Sequence, residues 1–306
     1  MRTFNKLFAA ALVAAIAITP FATDAASAKP VVGAAASKSL AQASSKKPAK
    51  APVRIISLSP SATEILWGIG AAKQVAAVDD NSNFPAGVPT SKLSSFTPNV
   101  EAIAAYNPDL VILQANATKA TEVQAALKKL GIAVYLEQTP NNTAGAYTEF
   151  QQLGALTGHA SQASRLVATM RKQIKGIVSL FAAPHIRVFH ELDNTLYSAA
   201  SKTFIGAVYK DFGVTNIADA ASGADKTGYP QLSAEYLIKA NPQVVVLADG
   251  DWGETKATVS ERAGWSAIDA VKNGKVFTIG SDISSRWGPR LVDLYRAVGN
   301  IIAKVN

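Results

Sequence analysis

The chain has 306 residues, of which 48% are hydrophobic and 17% are charged, and its formal net charge is +8 at pH 7. This length and apolar content suffice for one large core or two moderate ones, which argues against wholesale disorder. The sequence contains no cysteine, which excludes disulfides, thiolate metal sites, catalytic cysteines and a lipid attached through an N-terminal thioether.

The excess positive charge is concentrated near the N-terminus. Residues 29–52 carry five lysines and no acid, and residues 1–28 add a net charge of +1, which leaves +2 of the total +8 for residues 53–306. A nearly neutral body gives no indication of a nucleic-acid partner.

Residues 1–28 have the three parts of an export signal: basic Arg2 and Lys6, an apolar run from Leu7 to Ile18, and an Ala-Ser-Ala triplet that ends at Ala28. The apolar run would span about 18 Å as a helix, which is well short of the hydrocarbon core of a bilayer. We expect a cleaved signal peptide, with a retained N-terminal anchor as the alternative. The mature chain is then soluble, periplasmic or elsewhere in the cell envelope, and not a lipoprotein.

Residues 29–52 consist mainly of Ala, Ser, Lys and Pro and contain few large apolar side chains. Such a segment cannot bury enough surface to offset the entropy lost on ordering. We expect a disordered linker here.

The first predicted elements of the folded part form the opening of an α/β unit. The β-rich run Val53–Leu58 predicts a strand, and Val75–Val78 predicts a second one. Between them, Ser61 and Glu64 have the spacing of a capping box, and Gly70 suits the end of the helix. This spacing explains Glu64 as a capping residue.

A pattern of glutamate, Asn-Pro and an apolar strand occurs twice, about 134 residues apart, beginning at Glu101 and again at Glu235. Each copy predicts a helix, a turn forced by proline and a buried strand. A repeat of this length indicates two similar α/β lobes with a cleft between them.

Between the two copies, apolar residues recur at the three- and four-residue spacing of one helix face from Ala160 to Phe181, before Pro184. A helix of this length is about 33 Å long. We interpret it as a rigid strut between the lobes; an ordinary packing helix within one lobe is the alternative. The predicted fold is α/β, with two Rossmann-like lobes joined by a single long spanning helix. The bounds are 53–158 for the N-terminal lobe, 159–183 for the helix and 184–306 for the C-terminal lobe.

Four segments, in collinear order within residues 53–306, resemble the periplasmic binding proteins for vitamin B12 and ferric siderophores. They are Arg54–Glu64, Asn107–Leu113, Tyr229–Glu235 and Ser281–Arg290. The resemblance implies a monomeric, extracytoplasmic solute-binding protein of an ABC importer, which binds cobalamin or a related corrinoid in the cleft and delivers it to a permease dimer with its ATPase.

Glu101 and Glu235 match the positions where this family places an exposed glutamate on each lobe for docking onto the permease. The alternative is a local role, because both lie in a first helical turn, behind Asn99 and Ser233 as caps, where a carboxylate stabilises the helix dipole.

The resemblance also implies ligand-binding residues. Tyr229 matches a stacking aromatic, and Asp282 and Arg286 match a polar pair at the corrinoid edge, for which a local ion pair is the alternative. Phe96 falls near another cleft aromatic, and Asn81 stands where a tyrosine is common. Tyr197 and Trp287 are candidates by location only.

Asn81 and two further departures from the family pattern leave the ligand open. Leu192 and Ser198 stand where the B12 binders carry aromatics, so a ferric siderophore or haem remains an alternative to cobalamin. No metal site or cofactor is expected, because the three histidines lack ligand spacing. The chain lacks the common nucleophile and phosphate-loop motifs, so we expect no enzyme; an exported α/β hydrolase or a surface interaction protein is the alternative.

Overall fold

The computed structural model describes residues 51–182, 185–221 and 226–305. The predicted signal peptide and nearly all of the predicted linker lie outside these residues. We call residues 51–158 the first half of the chain and residues 185–305 the second half.

Each half contains four short strands with helices between them. The first half contains β1 (Ile55–Leu58), β2 (Val75–Val78), β3 (Leu110–Gln114) and β4 (Ala133–Glu137), with α1 (Pro60–Gly68), α2 (Val100–Ala104), α3 (Ala120–Lys129) and α4 (Thr143–Thr157). The helix α5 (Ala160–Phe181) follows. The second half contains β5 (Arg187–Glu191), β6 (Thr215–Asn216), β7 (Val244–Leu247) and β8 (Val276–Thr278), with α6 (Phe204–Asp211), α7 (Ala218–Ala221), α8 (Ala234–Ala240), α9 (Lys256–Ser260), α10 (Asp269–Lys272), α11 (Ser281–Ser285) and α12 (Leu291–Ala303).

The two sheets have the same topology. All pairs are parallel, in the orders β2-β1-β3-β4 and β6-β5-β7-β8. In both sheets, the second strand of the half lies on one side of the first strand and the third strand lies on the other side. The strand order therefore changes direction between β1 and β3 and between β5 and β7, and these two places are the topological switch points. Ligands of open α/β sheets bind outside the carboxyl ends of the strands at such points. The predicted α/β fold with two similar sheets is confirmed.

The repeat predicted from sequence is visible in the backbone. Asn107 and Asn241, which precede the two prolines, both adopt the left-handed conformation, with φ of 47° and 46°. In each half the residue after that proline donates its N–H to an arginine at the start of the first strand: Asp109 to the Arg54 carbonyl at 3.0 Å, and Gln243 to the Arg187 carbonyl at 2.9 Å.

The start of α1 differs from the prediction. Ser59, not Ser61, is the N-cap, and its side chain accepts from the N–H of Ala62 at 3.1 Å. Pro60 occupies the first helical position, where its fixed φ and missing N–H fit a helix start. Glu64 is therefore one turn inside the helix, and the predicted capping box with Ser61 is wrong.

The helix α5 has the predicted bounds and buries Ala163, Val167, Met170 and Ile174 on one face. It packs against α4 and α12, and the largest group of buried apolar side chains includes Phe150 of α4 and Tyr295 of α12. Its role as a rigid strut stays a prediction. No helix among the described residues combines the length and apolar composition needed to cross a bilayer.

Candidate functional site

The segment that follows β8 lies against the first half. Residues 281–290 contact loops and helices at the carboxyl ends of the first sheet, and we call this contact region the seam. These residues follow β8 and contact residues that follow β1 and β2. The seam therefore lies at the carboxyl ends of strands of both sheets, which is where open α/β sheets generally bind ligands.

Arg286 is the centre of the polar contacts at the seam. Its guanidinium donates to Asn83 Oδ1 at 2.7 Å and to the Asn81 carbonyl at 3.1 Å, and it forms an ion pair with Asp282 one helical turn earlier. The side chain is nearly buried. Burial lowers the pKa of Arg286, against the opposing effects of Asp282 and Glu64. The structure thus brings Asn81, Asp282 and Arg286 together.

Asp282 is the more accessible member of the pair, since 37% of its side chain is exposed. Its Oδ2 accepts from the Asn83 amide at 2.9 Å. Asn83 therefore binds both charged partners from the opposite half, using its amide N–H for one and its oxygen for the other. The local ion pair considered as an alternative is present, and it is extended across the seam.

Glu64 has a different role from the one predicted. Its carboxylate is buried and accepts from Arg290 Nη2 at 2.5 Å and Nε at 3.1 Å, and it lies 3.5 Å from Arg286 Nη1. Gly288 runs so close that an added Cβ would lie 2.7 Å from the Glu64 Cβ. Glu64 thus fixes the second half on α1, and no local sequence pattern indicated a partner 226 residues away.

Trp287 is packed in the core. Only 9% of the residue is exposed, its indole N–H donates to Glu149 Oε2 at 2.5 Å, and its ring meets the edge of Phe204 at 5.8 Å between centroids. A buried indole has no free face for a ligand in this conformation. The structure therefore places Trp287 beneath the seam rather than on its surface.

Glu149 also contacts Glu137, the last residue of β4. Burial raises the pKa of both carboxyl groups. The neighbouring Glu137 raises the pKa of Glu149 further. Two adjacent buried carboxyl groups cannot both ionise at low cost, so the raised pKa of Glu149 favours its protonated form. A protonated carboxyl group beneath the seam avoids an uncompensated buried charge.

The three other predicted aromatic residues are all partly buried and lie in loops of the two halves. The Phe96 carbonyl accepts from the N–H of Thr118 in the loop after β3, and the Tyr197 carbonyl accepts from the N–H of Leu192 after β5. Tyr229 packs against the largest core, and burial raises the pKa of its hydroxyl. Their contact with a ligand stays a prediction.

Two exposed aromatic residues were missed by the sequence argument. Phe84 follows β2 and is 39% exposed, with the Arg290 guanidinium 4.1 Å from its ring centroid. Trp252 follows β7 and is 54% exposed. The available signal was position, because each follows the end of a strand by a few residues, at the carboxyl ends of the strands of its sheet.

Glu101 and Glu235 occupy equivalent places in the two halves. Each is the second residue of its helix, α2 or α8, and each is exposed. Asn99 and Ser233 cap these helices, as predicted, by accepting from the N–H three residues on at 2.8 and 3.1 Å. Hydrogen bonds from its own backbone and from Ser233 lower the pKa of Glu235.

Among residues 51–182, 185–221 and 226–305, no group of three or more His, Cys, Asp or Glu side chains could hold a metal ion. His190, the one histidine with an acidic sequence neighbour, is buried beside the Tyr209 hydroxyl at 2.8 Å, and burial lowers its pKa to about 4.

Residues 55–283 match the Periplasmic binding protein family. The chain belongs to this family. Its members are substrate-binding proteins rather than enzymes.

The chain is similar in sequence to two known proteins and in structure to a third. The chain is 31% identical over 252 residues to the uncharacterized ABC transporter substrate-binding lipoprotein YvrC of Bacillus subtilis, covering 80% of this chain and 78% of that one. It is 30% identical over 264 residues to a cobalamin-binding protein of Halobacterium salinarum, covering 81% and 69%. A solved structure of a possible iron-binding (periplasmic solute-binding) protein from Staphylococcus epidermidis superposes with a TM-score of 0.71 at 27% identity, covering 83% and 99%.

The Bacillus relative contradicts the expectation that the protein is not a lipoprotein, because that relative is a substrate-binding lipoprotein. The absence of cysteine excludes only a thioether-linked lipid, and the retained N-terminal anchor named above as the alternative is not affected by it. A location in the cell envelope is supported, and the expectation that the protein is not a lipoprotein is withdrawn.

Proposed function

We propose that this periplasmic binding protein captures cobalamin or a related corrinoid at the seam and delivers it to the permease of an ABC importer. The observation that carries the proposal is the Asp282–Arg286 pair, which lies between the halves in contact with Asn81 and Asn83. A bulky chelate needs apolar surface for its faces and a few polar groups for its rim. The similarity to the cobalamin-binding protein of Halobacterium salinarum supports this choice of ligand.

The residues that we propose as ligand contacts surround the polar pair. Asp282 is the accessible acceptor, and Arg286 orients it from a nearly buried position. Release of Asn83 frees both groups for the ligand at the cost of two hydrogen bonds. The remaining contacts are Asn81, Phe96, Tyr197 and Tyr229, whereas Trp287 supports the site from below through Glu149.

A ferric siderophore or haem is the second candidate. It is favoured by the similarity to the Staphylococcus epidermidis protein. The aliphatic and small side chains of Leu192 and Ser198 offer no stacking surface, which favours the siderophore over the haem. A chelate of this class would use the same polar pair at the seam.

Delivery to the permease is assigned to Glu101 and Glu235. Their exposure on two repeated helices supports contact with a permease made of two subunits, one glutamate to each. The ATPase acts on the permease from the other side of the membrane.

The test is a titration of the full-length protein with cyanocobalamin, haemin and a ferric hydroxamate siderophore, followed by absorbance and calorimetry. We expect saturable one-to-one binding of cyanocobalamin, which Asp282→Ala weakens and Asp293→Ala, an exposed carboxylate on α12, does not. Binding of the iron chelates alone would select the second candidate. Failure of all three ligands to bind would overturn the proposed function.

A further inference from the structure

The two ends of the strands differ in charge in both sheets. A lysine or arginine stands at the start of every described strand except β3, or within five residues before it; these are Arg54, Lys73, Lys129, Arg187, Lys210, Lys239 and Lys275. An acidic residue ends every described strand except β1 and β3, or follows it within five residues; these are Asp79, Glu137, Glu191, Asp219, Asp249 and Asp282. Because the strands of each sheet are parallel, cations gather at their amino ends and acids at their carboxyl ends.

Helix dipoles explain only part of this separation. The helices α3, α6, α8 and α10 carry lysines in their last turns, where a cation stabilises the dipole. This effect does not apply to Arg54, Arg187 and Lys275, which begin or directly precede strands. It does not apply to α5 either, because the last turn of α5 contains no basic residue.

The helix α5 carries positive charge along its exposed side. Its sequence contains Arg165, Arg171, Lys172 and Lys175 and no acidic residue. Arg165, Lys172 and Lys175 are exposed, and their spacing of seven and three residues places them along one side of the helix, away from its buried face. Within the described part of the chain, none of these three forms an ion pair.

The helices packed against α5 do not neutralise this side. The sequence of α4 contains one acid, Glu149, which is buried. The sequence of α12 also contains one, Asp293, which pairs with Arg296. The exposed side of α5 therefore keeps a net positive charge.

The start of α5 lies at the amino ends of the first sheet. Gln74, directly before β2, donates its side-chain amide to the carbonyls of Pro52 and Thr157, at 2.7 and 3.1 Å. Pro52 precedes β1, and Thr157 ends α4, three residues before α5 begins. Lys73, the exposed neighbour of Gln74, extends the positive charge at this end.

The end of α5 lies at the amino ends of the second sheet. Phe181 packs so closely on α12 that a Cβ added to Gly299 would lie 2.6 Å from its ring. The Lys304 carbonyl, directly after α12, accepts from the side chain of Lys275, which directly precedes β8. We call the set Arg165, Lys172 and Lys175, with Lys73 and Lys275, the basic face.

The chain enters the folded part beside the basic face. Ala51 lies near Gly158, since a Cβ added to this glycine would lie 3.4 Å from the Ala51 Cβ. Residues 29–50, which directly precede Ala51 in sequence, contain five lysines and no acid. A chain held at a membrane by its N-terminal segment is thus held from the side of the basic face.

We propose that the basic face docks on the anionic phospholipid surface of the cell membrane. Clusters of lysine and arginine bind such a surface because its negative potential attracts each cation, and salt screens this attraction. The seam lies at the opposite, carboxyl ends of the strands, so the docked protein presents its ligand site to the solvent. Transfer of the ligand to a permease then requires the protein to leave the lipid surface. The proposal does not depend on which ligand the seam binds.

The test measures cosedimentation of the full chain with vesicles of phosphatidylglycerol and phosphatidylcholine in equal parts, and with vesicles of phosphatidylcholine alone. The basic-face variant combines Arg165→Gln, Lys172→Gln and Lys175→Gln. The matched control removes the same charge from exposed positions in loops that follow β2, β3 and β6, by combining Lys92→Gln, Lys119→Gln and Lys226→Gln. Thermal unfolding confirms that each variant is folded.

We expect the wild type to bind the anionic vesicles at low salt, with an affinity that falls steeply as sodium chloride is added. The basic-face variant should bind at least about tenfold more weakly, and the control variant should lose less than about threefold. Equal losses in the two variants would reduce the effect to net charge and overturn the proposal. Equal binding of the wild type to both kinds of vesicle would assign it to the apolar N-terminal run, and binding to soluble polyphosphate but not to anionic vesicles would exclude the lipid surface; either result overturns the proposal.

Discussion

Glu64 shows how one residue of α1 holds the second half in place. Its carboxylate is buried, and two guanidinium groups from residues 286 and 290 lie within 3.5 Å of it. A buried ion pair adds little net stability compared with apolar packing, but removing one partner leaves the other charge without compensation. The contact therefore specifies how the halves fit together more than it adds stability.

Glu64→Ala is expected to lower the free energy of unfolding by about 3–5 kcal/mol, because two arginines lose their buried counter-ion. Urea unfolding measures this change. The control is Asp293→Ala, which breaks the exposed ion pair with Arg296 and is expected to cost no more than about 1 kcal/mol. Equal effects of the two substitutions would show that the Glu64 contacts are not formed in solution.

Asp249, directly before the turn that carries Trp252, is expected to make stability pH-dependent. Burial and the neighbouring Glu191 raise the pKa of Asp249 to about 7. The folded state therefore holds a proton that an unfolded aspartate, with a pKa of about 3.9, releases. This contribution to stability is complete below the unfolded pKa and is lost as the pH rises through about 7.

The measurement is urea unfolding of the wild type and of Asp249→Asn between about pH 4 and pH 8. We expect the wild type to lose stability relative to the variant as the pH rises, since asparagine does not titrate. A constant difference between the two proteins across this range would contradict the raised pKa of Asp249.

At the scale of elements, the two halves repeat the same unit. In each, a capped helix with an exposed glutamate leads through a left-handed asparagine and a proline into a buried strand, β3 or β7. The capping bonds run from the backbone N–H groups of Ala102 and Tyr236 to the side chains of Asn99 and Ser233, so neither glutamate is a partner in them. The glutamates can therefore be replaced without loss of the helix starts.

The double substitution Glu101→Ala with Glu235→Ala is expected to abolish transport and to change ligand affinity by less than about tenfold, or about 1.4 kcal/mol. Uptake of labelled cyanocobalamin by cells and titration of the purified protein measure the two effects. Glu122→Ala, which removes an exposed glutamate from α3, is the control and should leave transport unchanged. Loss of ligand binding in the double variant would place these carboxylates in the pocket instead.

At the scale of the whole molecule, the halves are joined by more than α5. The Ser61 hydroxyl accepts from the backbone N–H of Trp287 at 3.3 Å, and the Tyr295 hydroxyl of α12 bonds to the Thr143 hydroxyl of α4 at 2.6 Å. These contacts add to those of Glu64 and Glu149 along the seam. Wide separation of the halves would break a large part of this set, so we expect only a small closing motion.

Small-angle X-ray scattering tests this expectation. The radius of gyration of the protein should change little when the ligand identified by titration is added at saturation, because the seam contacts are already formed. A strong contraction on ligand addition would show that a wide hinge motion accompanies binding. The Glu64→Ala variant, which lacks a main contact of the seam, provides the comparison with a more loosely joined molecule.

Local patterns in the sequence determined the elements and their repetition. The bounds of α5, the strand Val75–Val78 and the caps Asn99 and Ser233 were predicted because periodicity and capping depend on residues within about four positions of each other. The repeated Asn-Pro turn also follows from local geometry. The family resemblance extended these elements to a binding cleft and named Asp282 and Arg286, which the structure brings into contact.

Only the tertiary structure decided which side chains meet across the seam. Glu64 had the local spacing of a capping residue, yet its partner is 226 residues away. Trp287 had a sequence position suited to the cleft, yet its indole is buried against Glu149. Burial and charge pairing depend on how the two halves pack, and no pattern within a few residues encodes that packing.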